Sequence, residues 1–139
     1  MYELYQRGMF HHYRQNKADN SEAQSYFRRA LAIDPRYTQA TAALSIALCA
    51  AAYLSWTDNA ERNYNESLEL AQRAVALDPR YPNAHFALAL ISMWLGHNDR
   101  AAAEFQEAIK LNPSFAAAHA VLGAVLNFQG QSEGGGRER

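Results

Sequence analysis

The sequence predicts an all-α protein built as a stack of helical hairpins, and three observations carry that reading. The chain holds 27 alanines against three valines, four isoleucines and three threonines. Alanine is the best helix former, whereas β-branched residues favour strands. Segments 23–37, 67–81 and 101–115 also align column by column: a small residue (Ala23, Ser67, Ala101), then Phe27, Ala71, Phe105, then Ala30, Ala74, Ala108. Each segment closes on Asp-Pro or Asn-Pro, at Pro35, Pro79 and Pro113. The residue before a proline is pushed out of the α region, so a helix stops there. Such repeats stack, because no single unit buries its apolar face alone.

Taken in order, the first helix is expected over residues 1–15, with either His11 or Gly8 in its small-residue position. A second helix follows a polar stretch and runs to Ile33. After each proline an aromatic residue (Tyr37, Tyr81, Phe115) is placed to pack back over the turn. Further amphipathic helices follow over 38–53, 82–95 and 116–128. Pro82 suits a first turn, where its missing N–H costs nothing. Gly96 and Gly130 mark helix ends, and Asn98 or Asp99 is placed to cap the helix after Gly96. Pro79 and Pro113 lie 34 residues apart, but Pro35 and Pro79 lie 44 apart. The ten extra residues fall around 50–65, as a longer first helix or a longer loop carrying Tyr53, Trp56 and Tyr64.

Composition excludes several classes. A formal net charge of −1 leaves no cationic excess for nucleic acid. The most apolar run, 42–54, is shorter than the roughly 20 residues of a membrane span. The lone Cys49 rules out a disulfide framework within the chain and fits a reducing compartment. With no secretion-type leader visible, a cytoplasmic location is expected. No catalytic motif occurs, and no cofactor or metal is implied. His85 and His119 occupy equivalent places on successive units, too far apart to share a metal. Glu61, Glu66, Glu69, Glu104 and Glu107, beside Arg62, Arg73, Arg100 and Lys110, read as solvent-face pairs.

The Ala/Ser, Phe, Ala and Pro columns, with Leu44, Leu88 and Leu122 each followed by a small residue (Ser45, Ala89, Gly123), resemble the tetratricopeptide (TPR) repeat. The resemblance covers about residues 4–130 and implies a right-handed solenoid of about three repeats plus one extra helix. The repeat domain is 1–130, with units 4–37, 38–81 and 82–115 and a half unit, 116–130. Residues 131–139, polar and glycine-rich, are expected to be a disordered or non-native tail, and the chain to be a piece of a longer protein. The opening Tyr2-Glu-Leu-Tyr-Gln-Arg-Gly-Met-Phe10 and the segment Tyr53-Leu-Ser-Trp56 resemble TPR regions of bacterial multidomain regulators, linked to class III adenylate/guanylate cyclase or winged-helix domains.

In that family the first helix of each hairpin lines a concave groove. The resemblance places His12, Ile46, Cys49, Phe86, Leu90, Met93, Trp94, Asn127 and Phe128 on this inner face, as a non-catalytic surface for a protein or peptide segment with apolar or aromatic side chains. Phe86, Leu90, Met93 and Trp94 share one helical stripe. Family members that grip a C-terminal carboxylate use Lys, Asn and Arg on successive first helices. Here those faces offer Gly8, His12, Ala42, Ala43, Asn83 and Ala87, so that ligand is disfavoured. The alternative role is self-association, a homodimer through the apolar side of the last helix (Val121, Val125, Phe128). Neither membrane nor nucleic acid is an expected partner.

Overall fold

The computed structural model describes residues 1–138, with side chains through residue 127. The described residues form seven α-helices and no strand: α1 Tyr2–His12, α2 Lys17–Ile33, α3 Thr38–Tyr53, α4 Ala60–Leu77, α5 Pro82–Trp94, α6 Asn98–Leu111 and α7 Ala116–Glu138. Each helix packs on its chain neighbours, and α3 also touches α1 and α5, which makes the molecule a stack of three hairpins and a further helix.

The proline turns are built alike. Asp34, Asp78 and Asn112 leave the helix in extended or near-extended conformations, and their side chains accept from the backbone N–H of Arg36, Arg80 and Ser114. The N–H of the following aromatic, Tyr37, Tyr81 or Phe115, returns to the Asp or Asn carbonyl. One sequence pattern, Asp/Asn-Pro-x-aromatic, thus fixes the angle at which each hairpin hands over to the next.

Within a hairpin, small residues let helices approach. Gly8, not His11, is the small residue of the first unit: it is buried, and a Cβ there would collide with the Phe27 ring. In the second unit Ser45 and Ser67 exchange bonds, each hydroxyl donating to the other's backbone carbonyl at 2.7 and 2.8 Å. The third unit packs Ala89 with Ala101 and Phe105 in one cluster. Between hairpins the pattern 40, 44, 47, 51 recurs at 84, 88, 91, 95. Ala84, Leu88 and Ile91 of α5 pack with Ala71 and Ala74 of α4. On α1 and the turn after it the matching positions are Glu3, Arg7, Phe10 and Arg14, all exposed, with Glu3 and Arg7 paired at 3.2 Å.

The ten-residue expansion is shared out. Compared with the third unit, α3 is three residues longer than α5, the loop 54–59 is three longer than 95–97, and α4 is four longer than α6. Three sequence expectations are corrected here. The N-cap of α6 is His97, not Asn98 or Asp99, because the chain enters the helix one residue early. The last helix runs past its expected end at Gly130, to Glu138. Once a helix is nucleated, each added residue gains a hydrogen bond, which offsets a glycine penalty of about 1 kcal/mol. Third, Glu66 and Glu104 are not local surface pairs: Glu66 takes a two-pronged bond from Arg28 of α2 (2.7 and 2.9 Å), and Glu104 binds His85 of α5.

Helix α5 ends with Gly96 at φ +85, its N–H on Met93 O and the His97 N–H on Ser92 O. Helix α3 ends with the same pair of bonds, Ser55 N–H on Ala52 O and Trp56 N–H on Ala51 O, but Ser55 holds φ +61. A side chain in the left-handed region is strained where glycine is not. Ser55→Gly is therefore expected to raise the unfolding free energy by about 0.5–1 kcal/mol, net of the extra freedom glycine gives the unfolded chain. Chemical denaturation reads this directly, and a loss of stability would contradict it.

His85 supplies a pH dependence. Its Nε2 lies 2.7 Å from the Pro79 carbonyl and its Nδ1 2.6 Å from Glu104 Oε2. A carbonyl only accepts, so Nε2 carries a hydrogen; opposite an ionised Glu104, Nδ1 carries one too, and the ring is an imidazolium. Burial alone would lower its pKa, but the bonds to Glu104 and Pro79 and the charges of Glu104 and Glu107 outweigh it, leaving the pKa above 6.5. A raised folded-state pKa gives stability that is full below the unfolded value and lost as pH rises through the folded one. Thermal midpoints are expected to fall between about pH 6 and about pH 8, and less steeply for His85→Gln. An equal slope in both proteins would count against this pairing.

Candidate functional site: a concave, uncharged groove

The first helices of successive hairpins bring one to three side chains each, about a turn apart, to a common cavity of about 310 Å³. Ile46, Ala50 and Tyr53 follow one another along α3 at helical spacing, Phe86 and Leu90 do so on α5, and Ala117 and Val121 on α7. Alanines at 50 and 117 leave the room that larger residues would fill. From α1 comes His12, and Gln15 joins it because its own φ of +50 turns the chain back after the helix. Asn20 of α2 lies at the floor, its amide donating to Ala47 O at 3.0 Å and its carbonyl accepting from Gln24.

Among the described residues no lysine, arginine, aspartate or glutamate lines this cavity. Its one titratable group near neutral pH, His12, is pushed below 6.5 by burial and so stays neutral. Phe86 stacks on Phe115 (centroids 4.9 Å) and meets Phe105 edge-on (5.7 Å), which makes it a wall shared by groove and core. At the rim Tyr53 and Trp94, the last residues of α3 and α5, stack with centroids 4.7 Å apart and planes 12° from parallel. Both are more than a third exposed.

Of the residues expected on the inner face, His12, Ile46, Phe86 and Leu90 come together in the cavity. Trp94 stands at the rim, and Met93 packs against the cluster around Phe86 and Phe105. Asn127 is exposed and lines no part of the cavity. Cys49 is corrected: it is 1% exposed, packed with Ala42, Ala71 and Leu88, and burial pushes its thiol up to about 12, so it is core and unreactive. Phe128 lies outside the residues whose side chains are described. On the last helix Val125 is buried with the α6 cluster and Val121 lines the groove, so among its described residues the exposed large apolar side chain is Leu126. Sequence reasoning missed Gln15, Tyr53, Leu54 and Trp56 as lining residues. The aromatic-rich expansion was the signal for the last three.

Among the described residues no group of His, Cys, Asp and Glu could hold a metal ion, and no helix is long and apolar enough to cross a membrane.

Hairpins stacked in register, with first helices lining one uncharged concavity, define a helical-repeat protein with a concave groove. Family models described as tetratricopeptide repeat match residues 59–133 and 5–37, the first alone spanning more than half the chain, and the chain belongs to the tetratricopeptide-repeat family. No curated protein matches it. Among solved structures it is similar to an O-GlcNAc transferase mutant of Thermobaculum terrenum (25% identity, TM-score 0.71, 89% of this chain but 21% of that one). The first TPR domain of human RPAP3 shares the fold at 15% identity and TM-score 0.74, over 94% of this chain and 93% of that one. So does PcrH, solved with the chaperone-binding region of PopD (20% identity, TM-score 0.68, 91% of both chains). The chain thus spans about a fifth of the transferase.

Proposed function

We propose that this chain is a non-catalytic interaction module whose concave groove binds a peptide or helical segment of a partner protein through apolar and aromatic side chains. The uncharged cavity carries this reading. A C-terminal carboxylate entering it would lose its hydration with no cation to receive it, which costs several kcal/mol. An apolar side chain buried there would instead contribute about 1.5–3 kcal/mol. PcrH, of similar fold, holds a segment of another protein. Stacked helices keep the surface rigid, which limits the entropy lost on binding. The resemblance of residues 2–10 and 53–56 to regions of bacterial regulators supports a place in the regulatory part of a larger, cytoplasmic signalling protein.

Leu90→Asp combined with Trp94→Ala is expected to abolish partner capture while helix content and the unfolding midpoint stay near those of the parent. Capture of the same partner at undiminished affinity would refute the groove assignment. A second reading, self-association through α7, is favoured by Leu126, a large apolar side chain 45% exposed on that helix. Sedimentation of the parent and of Leu126→Glu separates the two: a dimer lost in the variant supports the second reading.

A further inference from the structure

We propose that the expansion of the second hairpin is a specificity element: Tyr53, Leu54 and Trp56 add a wall that turns part of the groove into a receptacle for one bulky, uncharged side chain of the bound peptide, aromatic or branched aliphatic. The inference rests on the groove reading above and goes further by naming which ligand side chain is selected and by what.

The loop is built to hold its shape. At its start the paired N–H bonds of Ser55 and Trp56 lock the end of α3, and the left-handed turn at Ser55 sends Trp56 back to the cavity. At its end Asn59 caps α4 by accepting from the Arg62 N–H at 3.1 Å, and Thr57 Oγ1 accepts from the Asn59 N–H. Asn63 fastens the start of α4 to α3 through the Leu48 carbonyl at 3.1 Å. The third hairpin joins its helices in three residues, half as many, and contributes no loop residue to the cavity. Trp56 lines the same cavity as His12 and Gln15, so the added wall extends a space also lined by Ile46, Phe86 and Leu90. With no charged group in that lining, complementarity selects a neutral occupant, and an aromatic wall favours flat or branched apolar groups over small ones.

The test titrates the full chain by calorimetry with end-blocked pentapeptides of alanine whose central residue is Trp, Leu, Ala or Glu. Expected is binding of the Trp and Leu peptides about tenfold or more tighter than the Ala and Glu peptides. Trp56→Ala should lose that preference while retaining the weak Ala-peptide affinity, and Trp56→Phe should restore most of it. Circular dichroism of both variants verifies the fold. If Trp56→Ala keeps the preference but Leu90→Asp abolishes binding, the wall is not the selector although the groove reading stands. Equal binding of the Glu peptide, or no binding by any peptide, overturns the proposal as well, and the last result together with an inert Leu90→Asp overturns the groove reading too.

Discussion

Phe27→Ala is expected to lower the unfolding free energy by about 3–5 kcal/mol. That is a large part of the roughly 5–15 kcal/mol that holds a domain together. Phe27 is fully buried, its ring pressed onto Gly8 of α1, 6.1 Å from the Tyr5 ring and clustered with Ala23, Leu44 and Leu48. Truncation removes both the transfer energy of the ring and its contacts with helices α1 and α3, and the surrounding alanines are too short to collapse into the space. The measurement is a guanidinium titration of parent and variant. A loss below about 1 kcal/mol, the usual scale of a surface change, would mean that the ring does not fasten the first hairpin to the second.

Ala71→Phe is expected to cost about 3 kcal/mol or more, although it restores the aromatic found at this column in the other two hairpins. Ala71 is fully buried, clustered with Ala42, Cys49, Ala74, Ala84 and Leu88. Its hairpin is held close by the reciprocal serine bonds at 2.7 and 2.8 Å, so a ring would have to pry α3 from α4. Leu88→Ala added to Ala71→Phe should recover part of the loss, because it opens volume on the facing side. A single variant more stable than the parent would show that the close approach is incidental.

Most of the fold could be read from the sequence because it repeats. Proline, the small residue and the aromatic each constrain backbone locally, and three copies reinforce one another. The register of α1 could not, since Gly8 and His11 both offered a match and only the contact with Phe27 separates them. The groove was half legible. Phe86 and Leu90 stand out at helical spacing, but α3 is apolar on nearly every side, so Cys49 and Ala50 look equivalent on a helical wheel while one is core and the other lines the cavity. Gln15, Leu54 and Trp56 lie in or beside left-handed turns, where helical periodicity says nothing about direction.

The row Glu3, Arg7, Phe10 and Arg14, along α1 and the turn after it, sets one end face apart from the interior ones. Where α3 and α5 offer alanine, leucine and isoleucine to the helix before them, this row offers the Glu3–Arg7 pair, Phe10 and Arg14, all exposed. Another repeat helix seated there would strand those charges away from water at several kcal/mol, a cost the interior interfaces never meet. At the opposite end Gly123 has open space where its counterparts Ser45 and Ala89 are fully buried. A helix laid against α1 and one laid against α7 would thus meet different chemistry: an ion pair and water at the first, a small-residue notch at the second.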